Sequence, residues 1–215
     1  MKRSFVKFET AALLALVIIF VSALAGSMTC FARECSEIRG GTLRLHILAN
    51  SDSDEDQRMK LLVRDELLKR YSEQLNAPDK LSAEERVRAL LGDIERTANE
   101  TLRANGSENT AEAELVRMYF DEREYDGFTM PAGMYDALRI RIGAADGHNW
   151  WCVMFPPLCL PAAMDRTGLE AELKERFGEE GAELLTKAKT PKYKARLAIL
   201  ELFEEWLGKA ERNRK

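Results

Sequence analysis

The stretch Gly147–Leu160, GHNWWCVMFPPLCL, constrains this chain more than any other. It holds two of the three tryptophans, two of the four cysteines and two of the six prolines. Tryptophan and phenylalanine rings each bury roughly 150–250 Å². Proline has no N–H to give a ladder, so Pro156-Pro157 ends any strand that reaches it. Asn149 to Phe155 is therefore expected as a short strand closed by a rigid turn. Period-two alternation puts Trp150 and Cys152 on one face, Trp151 and Val153 on the other. At least one tryptophan belongs to a core. The other is open to two readings, core alone or core plus a recognition surface. Cys152 and Cys159 flank the turn, and in an oxidising compartment a bridge between them would close it.

The other end of the chain argues for such a compartment. Lys2, Arg3 and Lys7 precede Ala11–Ala25, an apolar run interrupted only by Ser22. That is the plan of an export leader, and Ala23-Leu24-Ala25 fits a cleavage site before Gly26. The run is shorter than the roughly 20 residues that span a bilayer comfortably. A cleaved signal peptide over residues 1–25 is the first expectation and a retained membrane anchor the second. Exported cysteines pair. Of the three possible connectivities Cys152–Cys159 is favoured, with Cys30–Cys35 the second choice. Loss of the leader removes three bases and one acid, taking the net charge from −4 to −6. An acidic protein is poorly suited to nucleic acid or anionic lipid. No nucleic-acid partner is expected, and membrane contact only through an uncut N-terminal segment.

Between these landmarks the composition, 46% hydrophobic and 32% charged, is that of a globular domain. Residues 26–41, ending in Gly40-Gly41, read as a linker. Residues 42–208 form the domain and 209–215 a charged tail. Leu43–Ala49 alternates as a strand, with Leu43, Leu45 and Ile47 inward and Arg44 and His46 opposite. Asn50–Asp56 is rich in residues that cap helices, so a helix follows from Ser53 to about Tyr71. A second helix runs from Ala83 to about Arg103, capped by Ser82, with Asn105 or Gly106 left-handed at its end. Ala113–Asp121 and Leu138–Ile142 read as strands, the latter paired in a hairpin with the Trp150 strand. Two further helices follow, the first ending near Gly178. The second begins at Thr190-Pro191 and carries the stripe Tyr193, Leu197, Leu200, Phe203, Trp206, Leu207. The fold class is α+β: a mixed sheet of about four strands, helices packed mainly on one face, and an N-terminal signal or anchor helix.

Chemistry is harder to find. Asp52-x-Asp54-x-Asp56 fails as a calcium loop, since Gln57 and Val63 stand where glycine and glutamate are needed. A capped helix start explains the carboxylates better. His46 and His148 belong to no metal or nucleophile motif, and neither metal nor cofactor is expected.

Two stretches resemble one family. LRLHILANSDSDEDQRMKLLVRDELL (Leu43–Leu68) and PAGMYDALRIRIG with NWWCVMFPPLC (Pro131–Gly143 and Asn149–Cys159) resemble stage II sporulation protein R. The resemblance implies a non-enzymatic signalling protein, exported into the space between forespore and mother cell. There it would activate a membrane-embedded aspartic-type protease of the mother cell, which processes the sigma-E precursor. Asn50, Asp52, Asp54, Asp56, Trp151, Phe155, Pro156 and Pro157 are the expected partner-binding residues. The alternative is an exported cell-wall or carbohydrate-active enzyme. It would need paired carboxylates, for which Asp52 and Asp54 qualify only by proximity.

Overall fold

The computed structural model describes residues 2–75, 77–158, 166–188, 190, 193 and 197–199. Helix α1 (Lys2–Gly40) opens the chain. Leu14, Leu16, Val17, Ile18, Ile19, Phe20 and Val21 are all exposed on it. Leu14–Gly40 is long and apolar enough to cross a membrane, which fits a leader or a signal anchor.

The second half of α1 differs from the expected linker. Phe31, Cys35 and Ile38 recur at helical spacing and are buried against the sheet. That stripe holds residues 26–40 in helix. The second-choice bridge fails with it: Cys30, exposed, and Cys35, buried, are not disulfide-bonded. Five residues apart on a helix, two side chains diverge by about 140°. Their Cα atoms stand roughly 9 Å apart, beyond disulfide reach.

Strand β1 (Leu43–Leu48) leads to α2 (Asp54–Leu75) and α3 (Lys80–Ala104), then β2 (Ala111–Phe120). The short pair β3 (Arg123–Glu124) and β4 (Thr129–Met130) follows, then β5 (Gly133–Ile142), β6 (Asn149–Phe155) and α4 (Arg166–Lys187). Helix α3 starts three residues before the expected Ala83, because the Asp79 side chain accepts from the Ser82 N–H and caps it. At its end Gly106 is the left-handed residue (φ 81°) and Asn105 is not. Gly178 (φ 72°) breaks helical geometry inside α4, so the expected end there is a kink. Leu197 of the C-terminal stripe is buried. Leu200, Phe203, Trp206, Leu207 and the 209–215 tail lie outside the described residues, as does Cys159.

The four-stranded sheet has the order β2-β5-β1-β6. β1 runs parallel to β5 and antiparallel to β6. The expected hairpin of β5 with β6 is therefore replaced by a three-strand arrangement with β1 in the middle. The reason lies in β1 itself, which buries nearly every residue and so favours a central position. The Gly143–His148 connection crosses over its end.

Both faces of the sheet carry helices. Leu43, Leu45, Ile47, Leu138, Ile140 and Ile142 pack under α2 and α3 with Val63, Val87, Ile94 and Leu102. On the other face Tyr135, Ala137 and Val153 meet Phe31, Ile38, Leu173 and Leu185 from α1 and α4. The far half of that second face is solvated, where Arg139 pairs with Glu114 (2.8 Å) and Arg141 with Glu112. The helices expected mainly on one face are α2 and α3; the far end of α1 and α4 supply the second layer.

Candidate functional site

The acidic loop is built inward. Ser53 caps α2, its hydroxyl accepting from the Asp56 N–H (3.2 Å). Asp56 turns back to accept from Asn50 Nδ2 (2.9 Å) and the Ser51 hydroxyl (2.5 Å), and more weakly from Asn109 Nδ2 (3.3 Å). Those donors favour the charged form, the Ser51 hydroxyl first, and hold the Asp56 carboxyl below its usual range.

The loop is also tied to the β5–β6 connection. The Ala144 N–H donates to Asn50 Oδ1 (2.9 Å), and the Gly147 N–H to the Ala49 carbonyl (3.0 Å). The His148 N–H donates to Asp52 Oδ1 (2.6 Å), and the His148 ring also meets that oxygen. Two glycines permit the approach. A Cβ on Gly143 (φ 57°) would lie 2.2 Å from Asn50 Oδ1, and one on Gly147 2.2 Å from the Ser51 carbonyl. Lys60, buried on α2, donates to the His148 carbonyl (2.8 Å) and to Gln57 Oε1 (2.5 Å). Burial pulls its pKa down. Of the four polar residues expected to bind a partner, Asn50, Asp52 and Asp56 thus hold the loop together. Of the four, Asp54 alone is both exposed and without a hydrogen bond among the described residues.

The aromatic half sits on β6. Trp151 is half-buried: it stacks on His46 (4.0 Å between centroids, 6° between planes) and meets Phe120 edge-on (4.7 Å). Arg123 stands 5.8 Å from the Trp151 ring on one side of the strand, and Arg64 4.2 Å from the Trp150 ring on the other. Phe155 is buried, with Arg176 over its ring (5.2 Å). Pro156, after a cis peptide bond, is buried and Pro157 half-buried. Asn50 and Asp52 come together with the start of β6, where Leu48 faces Asn149. Pro156-Pro157 lies at the strand's other end, roughly 20 Å away at 3.3 Å per residue. The eight residues therefore do not form one tight cluster. Asp52 and Asp54 are exposed, Asp52 bound to His148, and Trp151 offers one open side.

Cys152 is buried in β6 and disulfide-bonded. Its expected partner, Cys159, falls outside the described residues.

Arg44 and His46, expected opposite the core and so towards solvent, are buried. The Arg44 guanidinium lies among Phe120 (4.5 Å), Tyr135 (5.0 Å) and Tyr125 (5.8 Å). Nε donates to the Cys152 carbonyl (3.2 Å) and Nη2 to the Tyr125 hydroxyl (2.6 Å), while Nη1 has no partner among the described residues. Desolvation is the main reason the His46 pKa falls to about 4, and the charges of Arg139 and Arg44 add to it. Asn149 opposes this more than either arginine adds to it, although neither ring nitrogen reaches hydrogen-bond geometry among the described residues. The signal that would have found this cluster is the near-continuous burial of β1, which a central strand requires on both faces.

Between α1 and α4, Cys30, Glu34 and Glu180 each bring one ligand atom within 4.8 Å of the others. Burial, then Glu37 and Glu180, raises the Glu34 pKa. Cys30 and Glu180 are exposed, and the group stands apart from the loop and β6.

A family model for stage II sporulation protein R matches residues 40–165. That range includes the acidic loop, the whole sheet and the Pro156-Pro157 turn. Over 145 residues, 67% of this chain, the sequence is 37% identical to stage II sporulation protein R of Bacillus subtilis (strain 168). The aligned stretch spans 63% of that relative's length. No solved structure matches. The chain belongs to the stage II sporulation protein R family.

Proposed function

We propose that this protein is an exported sporulation signal that acts by contact and catalyses no reaction itself. Its receptor would be a membrane-embedded aspartic-type protease of the mother cell, and the outcome cleavage of the sigma-E precursor. The observation that carries this reading is the family match, which coincides with the folded sheet and with both motif-bearing stretches. The apolar first half of α1 is consistent with export or anchoring into the space between forespore and mother cell. A Cys152–Cys159 bridge, closing the loop after β6, suits an oxidising location.

A ligand moves a receptor's equilibrium only by binding one state better. The exposed Asp54 and the open side of Trp151 are the residues assigned to that contact. Asn50, Asp52 and Asp56 act one step back, by holding the loop in shape.

The test is co-expression of the full chain with its cognate protease and the sigma-E precursor in a cell that makes no spores. Cleavage that depends on this chain is the expected result. A folded, oxidised protein that leaves the precursor intact would overturn the reading, as would turnover of a substrate by the purified domain alone. Trp151→Ala and Asp54→Lys should lower cleavage while export stays normal.

A further inference from the structure

The sheet has two edges, and they are treated differently. β2 carries Glu112, Glu114 and Arg117 along its ten residues. Charges on an edge strand discourage another strand from pairing with it. β6, the other edge, reads Asn149-Trp150-Trp151-Cys152-Val153-Met154-Phe155 and has no charged residue. Among the described residues no strand pairs with its outer side. That side opens into a groove of about 660 Å³. Arg64 and Leu68 of α2 form one wall, Arg123 and Tyr125 the other, with Trp150 and Trp151 between them.

We propose that β6 accepts an extended segment of a partner protein as an added strand, and that the segment alternates apolar and acidic side chains. The backbone groups along the outer edge recognise an extended chain irrespective of its sequence. Alternation then sends successive side chains of the incoming strand to opposite walls. On the α2 side they meet Leu68 and Trp150, an apolar surface whose cation, Arg64, is already paired with Asp65 at 2.6 Å. On the β3 side they meet Trp151 beneath Arg123, and no carboxylate pairs with Arg123 among the described residues. Glu124 is engaged in a contact of its own. An apolar residue facing α2 and an acidic one facing Arg123 satisfy both walls. This docking mode deepens the reading of the protein as a contact signal and rests on it for the identity of the partner.

The experiment titrates the full chain, in detergent micelles, with capped eight-residue peptides, following tryptophan fluorescence and backbone amide exchange. The probes are alternating Val-Asp, alternating Val-Lys, and Val-Asp with every second amide N-methylated along one edge. The Val-Asp peptide should bind at least tenfold more tightly than Val-Lys and slow exchange at β6. Of the two possible N-methylation patterns, the one facing β6 should abolish binding. Arg123→Glu should reverse the preference between the charged peptides while leaving the fold unchanged by circular dichroism.

Equal affinity for the two charged peptides overturns the proposal. So does an outer edge of β6 already protected from exchange in the free monomer, which would mean that the chain covers its own edge. Protection that appears only with concentration, as two copies pair through β6, overturns it as well. Peptide binding and protease activation are separate measurements. Binding as expected with no precursor cleavage removes the proposed signalling role and keeps the strand-accepting edge; cleavage unaffected by Arg123→Glu and by blocking peptide does the reverse.

Discussion

On one face of β1, Leu43, Leu45 and Ile47 meet Val63, Val87, Ile94 and Leu102 from α2 and α3. On the other, Arg44 and His46 sit among Phe120, Tyr125, Tyr135 and Trp151. Both faces exclude water, but by different means. The aliphatic face depends on area and close packing, which have no direction. The aromatic face depends on a buried cation with two hydrogen bonds and one unanswered donor, and on a neutral histidine between rings. A polar group in such a place is costly when a partner is lost. The difference teaches that one strand can be anchored by bulk hydrophobicity on one side and by geometry on the other. The face that depends on geometry is also the one that carries Trp151 towards the groove.

The comparison can be broken most directly at Leu45, which is 1% exposed. Leu45→Ala should lower stability by about 2–5 kcal/mol, from lost burial plus the cavity left behind. Urea unfolding with an unchanged slope measures it. A loss under about 1 kcal/mol would mean that the aliphatic face is not the main anchor.

At Arg44 shape and charge can be separated. Arg44→Ala removes the packing of the stem, both hydrogen bonds and the cation. Arg44→Met keeps most of the volume and removes a buried charge that no described carboxylate balances. The methionine variant should melt several degrees above the alanine variant, about what 1–2 kcal/mol produces in a domain of this size. Equal melting temperatures would mean that stem packing contributes nothing and would assign the role of Arg44 to its guanidinium group.

His46 adds a pH signature that the aliphatic face lacks. Its folded pKa, about 4, lies below its ordinary 6.5. Between those values the unfolded chain binds a proton that the folded chain refuses, so stability rises with pH across the window. The contribution of neutral His46 is complete above pH 6.5 and is lost as the pH falls towards 4. His46→Phe should flatten the stability profile in that range, and an unchanged slope would place the titration elsewhere. Asp56, whose pKa is lowered, loses its contribution only at still lower pH, as its carboxylate is protonated.

The smallest effects fall at the end of the sheet. Asp56→Ala should lower stability by about 1–2 kcal/mol through the acceptor lost to Ser51 and Asn50. Asp54→Ala, on the exposed first turn of α2, should stay within about 0.5 kcal/mol. Denaturant midpoints of the two variants, measured together, separate the structural carboxylate from the free one.

Much of this was legible beforehand. Alternation in Leu43–Leu48 and Leu138–Ile142 identified strands and their aliphatic face, because period two survives in any sheet. The capping run Ser51–Asp56 marked the start of α2, since side-chain oxygens beside free N–H groups act locally. What failed was non-local. The expected β5–β6 hairpin assumed that neighbours in sequence pair, yet β1 separates them. Polarity and glycines give residues 26–41 the look of a linker, whereas Phe31, Cys35 and Ile38 find a sheet to pack against only in the folded molecule. In the candidate site, Asn50, Asp52 and Asp56 are engaged in hydrogen bonds within the molecule, which acidic density alone does not reveal.

By itself, then, the sequence determined the strands β1, β2, β5 and β6, the helices α2 and α3 with the cap of α2, the aliphatic side of β1 and β5, and the apolar run Ala11–Ala25. These follow from propensity, period and composition, all of which act over a few residues. Tertiary structure alone decided that β1 is central, that Arg44 and His46 are buried, that Asn50 and Asp52 grip the β5–β6 connection, and that β6 is left as an uncharged edge. Each of these depends on which distant segments meet, and an ordered contact between residues 44 and 152 or 52 and 148 has no local signature in the chain.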